Sequence, residues 1–142
     1  MIYFNLLKYV HSPFLGEQVN VGILLCFPEQ GRLEFRYPAN FSRLRYLYQS
    51  FSEHQLLSYL TSFSQRVAGA NTELVAPLTP EQYTFFITRE LVPVDATVLR
   101  FGDLTKAISA ADNDPQSVAD EYYEIYFAET QPAPRPRMLR NS

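Results

Sequence analysis

Alternation of apolar and polar positions dominates the first third of the chain. In residues 2–10, Ile2, Phe4, Leu6 and Val10 fall on one face of an extended segment, and Tyr3, Asn5, Leu7 and Tyr9 on the other. After Ser12-Pro13 and Gly16, residues 17–27 place Val19, Val21, Ile23, Leu25 and Phe27 at a period of two, which predicts a half-buried strand with these five side chains in the core. Pro28-Glu29-Gln30-Gly31 reads as a turn. Beyond it Leu33, Phe35 and Tyr37 are expected inward, and Arg32, Glu34 and Arg36 outward. Three strands joined by short loops predict an antiparallel meander.

The period then changes. After Pro38, Asn40 is placed to cap a short helix carrying Phe41, Leu44, Leu47 and Tyr48 on one stripe. Ser52-Glu53-His54-Gln55 has the form of a capping box, and Leu56, Leu57, Leu60, Phe63 and Val67 follow at helical spacing until Gly69 and Asn71. Thr79-Pro80-Glu81-Gln82 repeats the start signal. Residues 83–88 are β-prone, but Tyr83, Phe86, Ile87 and Leu91 share a helical face, so a helix is the expectation here. Residues 96–102 read as a strand ended by Gly102. Asp114-Pro115 opens a last helix, to about Ala128, with Val118, Tyr122, Ile125 and Tyr126 on its apolar side. The predicted class is α+β, a small antiparallel sheet of the meander plus a later strand, with helices packed on one face.

Composition sharpens the boundaries. The 142 residues, 46% hydrophobic and 15% aromatic, suit one globular domain with a real core, expected over residues 1–129. That stretch holds nine basic and fifteen acidic side chains, whereas 130–142 carries Arg135, Arg137 and Arg140 without an acid. Pro132, Pro134 and Pro136 alternate there, so this stretch is expected to be a disordered, extended tail. No apolar run is long enough to span a bilayer and no signal-peptide layout opens the chain, so a cytoplasmic protein is expected.

Chemistry is sparse. Cys26 is the only cysteine and the histidines are His11 and His54, which excludes an intrachain disulfide and multi-Cys or His-rich metal sites. No phosphate-binding glycine loop or G-x-S-x-G elbow occurs. Cys26, between Leu25 and Phe27, reads as a buried inert thiol. The pairs Asp112/Asp114 and Asp120/Glu121 read as acids complementing a helix start more readily than as cation ligands. No cofactor, metal or catalytic residue is expected.

The most distinctive segment runs from Tyr9 to Leu25, in the order Y-x-x-x-P-x-x-G-E-x-V-N-V-G-x-x-L with the specific block at Gly16 to Gly22. It resembles a bacterial family known as domain of unknown function 3037. The likeness continues through Phe41-Ser42-Arg43-Leu44-Arg45 and returns at Leu99-Arg100-Phe101-Gly102 and Asp114-Pro115, covering about residues 3–127. His11-Ser12 departs from the Pro-Asp-like turn usual in that family. The resemblance implies a small intracellular domain, often encoded near a HipA-like kinase, and brings no catalytic residues with it.

Physically, an amide and a glycine are both disfavoured in a strand, so Asn20 and Gly22 call for a reason. Asn20 bonding a loop and Gly22 admitting a close ring or helix is one reading. The other is a polar cluster of Glu17, Asn20, Arg43 and Arg45 beside Tyr3, Tyr9 or Tyr46, serving structure or partner binding. The leading functional expectation is a non-catalytic interaction or accessory protein, with a HipA-like kinase as the partner the resemblance suggests. An alternative is a nucleic-acid-associated factor of a phage-defence or toxin–antitoxin-like module, using Arg36, Arg43, Arg45 and the tail arginines on phosphates. The acidic body argues against it. A metal-dependent hydrolase or nuclease using Glu17 and other acids is the third, with no spacing to support it.

Overall fold

The alternating segments form the expected meander. In a computed structural model describing residues 1–12, 17–48, 51–91, 99–108, 114–127 and 132–134, β1 (Ile2–Ser12), β2 (Glu17–Phe27) and β3 (Arg32–Arg36) pair antiparallel in the order β3-β2-β1. The β2–β3 turn closes with Gly31 at φ +63°, and a Cβ there would lie 2.8 Å from the Ala76 nitrogen, so both the turn and its packing need glycine. The predicted strand at 96–102 is represented by β4 (Leu99–Phe101), residues 96–98 lying outside the described ones. A second short strand, β5 (Thr105–Ala107), follows. Both pair with the outer edge of β1, β4 at Leu7–Tyr9 and β5 at Ile2–Phe4, which completes a five-stranded antiparallel sheet.

Four helices accompany it. Helix α1 (Ser42–Leu47) starts one residue later than anticipated: Phe41 is the N-cap, and Asn40 Oδ1 accepts from the Ser42 hydroxyl at 3.2 Å. Helix α2 (Glu53–Ala70) is capped by Ser52, whose Oγ accepts the Gln55 N–H. Helix α3 (Pro80–Phe86) has the full reciprocal box, with the Gln82 N–H on Thr79 Oγ1 and the Thr79 N–H on Gln82 Oε1. The β-prone segment is therefore helical, and it runs on as a π-helical turn, Ile87–Leu91. Helix α4 (Pro115–Tyr126) begins at the Asp114 cap.

The sheet has two buried faces, where sequence analysis placed helices on one. Helices α1, α2 and α3 cover the first face through Tyr3, Leu7, Leu24, Cys26, Leu33, Phe35, Leu60, Phe63 and Tyr83. Among the described residues helix α4 covers the second, where Val118, Ala119 and Tyr123 meet Ile2, Phe4, Ile23, Leu25 and Phe27. Each fully buried Val, Leu, Ile or Phe among them contributes on the order of 1.5–3 kcal/mol by leaving water.

A bulge divides β2 between these faces. Leu7 pairs with Gly22 but Lys8 with Asn20, so Val21 is an extra residue. Val19 and Val21 consequently pack toward α1–α3, whereas Ile23, Leu25 and Phe27 pack toward α4. The five residues expected on one core face belong to two cores, because one inserted residue reverses the alternation. Glu34 and Arg36, expected outward, are likewise buried, since α4 lies over them. Of the predicted tail, Pro132 bridges Pro38 in antiparallel sense and the Ala133 N–H donates to the Tyr37 carbonyl at 2.8 Å.

Candidate functional site

Of the four residues of the anticipated polar cluster, only Asn20 and Arg45 have side chains within the described residues. Glu17 and Arg43 hold backbone positions in β2 and α1, and their side chains lie outside the described residues. Asn20 is half-buried opposite Lys8 in the ladder, and alternation with Val19 turns it to the face away from α1. Arg45 pairs with Glu53, Nε to Oε1 at 3.2 Å, and the other carboxylate oxygen of Glu53 accepts the Phe41 N–H at 2.5 Å. That pair fastens the start of α1 to the start of α2. Of the tyrosines, Tyr3 stacks on Tyr83, Tyr9 meets Phe51 edge-on, and Tyr46 is 89% exposed. The Tyr9 hydroxyl is held above its ordinary pKa by burial and by Tyr48. Gly22 answers to the close-approach reading, since a Cβ there would stand 3.1 Å from the Phe35 ring.

A different polar constellation lies along β3, the outer strand of the sheet. Glu34 sits between two arginines, Oε2 to Arg32 Nε at 2.5 Å and Oε1 to Arg36 Nη1 at 2.9 Å. Arg36, with only 4% of its side chain exposed, also reaches Asp120 of α4, Nε to Oδ1 at 3.1 Å, and donates to the Phe35 carbonyl. Its Nη2 is buried with no partner among the described residues. Asn71, at the end of α2, bonds both backbone groups of Leu33 at 2.8 Å, its Nδ2 donating to the carbonyl and its Oδ1 accepting the N–H. A primary amide thereby takes the place of a further strand. Between α2 and α4 these residues line a cleft of about 70 Å³. Sequence reasoning places Glu34 and Arg36 outward, Arg36 as a candidate phosphate contact, and Asn71 only as a helix end; it misses that the three meet. The available signal was α4 itself: an amphipathic helix needs a sheet face to cover, and the first face was already claimed by three helices.

The opposite edge mixes exposed polar side chains, Asp103, Thr105 and Lys106, with exposed apolar ones. Leu104 and Ile108 flank β5, Ile108 at 90% exposure, and no strand pairs with the outer edge of β5 among the described residues. Phe4, the partner of Thr105, carries the Tyr122 and Tyr126 rings of α4 at 5.3 and 5.9 Å. Ile125 of α4 is 68% exposed, and Met1, ahead of the Ile2–Ala107 pair, is exposed as well. Exposed large apolar side chains are candidates for association surfaces.

Cys26 is fully buried and burial pushes its thiol up to about 12. Tyr83, whose hydroxyl donates to the Leu24 carbonyl, is raised well above the ordinary value by burial and then by Cys26. Asp114 is engaged as a helix cap and Asp120 with Arg36, while Asp112 lies outside the described residues. No group of three His, Cys, Asp or Glu side chains among the described residues is placed to hold a metal ion. No helix there is long and apolar enough to cross a membrane.

The arrangement defines an α+β fold whose sheet is enclosed by helices on both faces. Residues 4–126 match the family described as "Protein of unknown function (DUF3037)", and the chain belongs to that family. No curated protein and no solved structure matches the chain.

Proposed function

We propose that this domain is a non-catalytic interaction module of a bacterial system, and that its protein partner, a HipA-like kinase, docks on the β5–α4 edge. The observation that carries the reading is the exposure of Ile108, next to β5, and of Ile125 on α4, together with an outer edge of β5 that no strand covers among the described residues. An extended partner segment can add to such an edge by main-chain hydrogen bonds, while the apolar side chains supply the buried centre of the interface. In α4, Asp120, Glu121 and Glu124 are exposed and no basic residue occurs, which favours a partner surface bearing Lys or Arg around an apolar centre. The test is affinity purification of the tagged full chain from its native host, alongside an Ile108→Asp/Ile125→Asp variant. Retention of the kinase by the parent chain and its loss from the variant, with an unchanged melting temperature, is the expected result. Equal retention by both would move the interface elsewhere, and absence of the kinase from the parent eluate would overturn the choice of partner.

A further inference from the structure

The cleft between α2 and α4 is one-sided in its hydrogen-bonding capacity. Alternate residues of an antiparallel strand turn both backbone polar groups to the same edge. Leu33 turns them away from β2, to the Asn71 amide, so Phe35 turns its own to that edge too. The Phe35 carbonyl accepts from Arg36 Nη1, whereas the Phe35 N–H has no partner among the described residues. The same guanidinium uses Nε on Asp120 and Nη1 on Glu34 as well as on that carbonyl. Its Nη2, with two N–H groups, is buried without a partner. The acceptors nearby are engaged, Glu34 by Arg32 and Arg36 and the Asn71 Oδ1 by Leu33. Donors alone are left open at this rung.

Charge and shape narrow the complement. The lining carries two guanidiniums, Arg32 and Arg36, against one carboxylate, Glu34. Asp120, the other acid on Arg36, is half-exposed and lies outside the lining. Gln116 brings the first turn of α4 to the cleft, and that end of a helix favours negative charge. A group that only accepts hydrogen bonds and bears one negative charge answers both the open donors and the excess cation. Val67 and Ala68 of α2 add an apolar wall. The volume, about 70 Å³, suits a group the size of a few waters and is too small for a sugar or a nucleotide.

We propose that this cleft binds a short-chain monocarboxylate, whose oxygens accept from the Phe35 N–H and Arg36 Nη2 while its alkyl stub rests on Val67 and Ala68. Proton–nitrogen correlation NMR of the full chain tests it. Sodium acetate is titrated at constant ionic strength against sodium chloride, with acetamide as the uncharged analogue of the same shape. The Phe35 amide and the Arg36 Nε–H are expected to shift saturably with acetate, and not with chloride or acetamide. Ala68→Leu, which fills the cleft from α2 and keeps every ion pair, is expected to abolish the response. Lack of a saturable shift with acetate, an equal response to chloride or acetamide, or an undiminished response in Ala68→Leu overturns the proposal. Should Ala68→Leu fail to fold, the contrast between acetate and acetamide in the parent chain decides it.

Discussion

The two faces of the sheet are built on different principles. Under α1, α2 and α3 the contact is largely apolar and carries no buried charge among the described residues, with Phe35, Phe63 and Phe101 in a chain of ring contacts at 6.3 Å each and Cys26 and Tyr83 beside them. Under α4 an apolar half, from Ile2 to Phe27, adjoins a charged half where Glu34 and Arg36 are as buried as the core. The comparison teaches that burial here follows coverage rather than polarity: a charged pair on an edge strand goes inside when a helix covers it and each charge finds an opposite one. Such a pair is costly to break and cheap to replace whole, since its attraction mainly offsets its own desolvation.

The largest expected effect separates the faces directly. Arg36→Ala leaves Glu34 without its most buried counter-charge and should cost about 3–5 kcal/mol in urea unfolding, whereas Glu34→Leu with Arg36→Met should be close to neutral or stabilising. Equal losses from both variants would mean that the charged half of the α4 face is not a compensated pair. Alkali should instead act through the apolar face. The Cys26 thiol, raised to about 12, keeps its proton in the folded chain while the unfolded chain releases it above about 8.5. Its contribution is thus fully present below that pH and is lost as pH rises toward 12, with Tyr83 adding in the same direction above about 10. Urea midpoints from pH 8 to 11 should fall in the parent and fall less steeply in Cys26→Ala. The same burial predicts that a mild thiol reagent labels Cys26 only on unfolding.

Smaller effects belong to the seams between the layers. Asn71→Ala strands both backbone groups of Leu33 and should cost about 1–3 kcal/mol, with faster exchange of the Leu33 amide as the specific readout. Arg45→Ala removes a surface pair with Glu53 and should cost about 0.2–1 kcal/mol, diminishing further in high salt. A loss from Arg45→Ala as large as that from Arg36→Ala would erase the distinction drawn between exposed and covered charge.

Much of this architecture was legible because its signals are local. Thr79-Pro80-Glu81-Gln82 starts a helix whatever packs on it, and it prevailed over the β-prone run behind it because Tyr83, Ile87 and Leu91 also share a helical stripe that the core accepts. The candidate site was less legible. Arg45 was singled out beside Glu17 and Arg43, but its partner is Glu53, a residue that carries an ordinary helix-start signature in the sequence. The arginine with the richest set of partners, Arg36, looked like any polar position of a half-exposed strand.

The sequence by itself determined the class of the fold, the meander, the starts of α2, α3 and α4 and the burial of Cys26, since periodicity, capping and turn chemistry act over a few neighbouring residues. Only the tertiary structure decided which face each side chain meets. The bulge at Val21 shifts the ladder by one residue and sends Val19 and Ile23 to opposite cores. The docking of α4 turns Glu34 and Arg36 from surface into interior. A one-residue register shift and the coverage of a second face are properties of pairing between distant segments, and no local pattern encodes them.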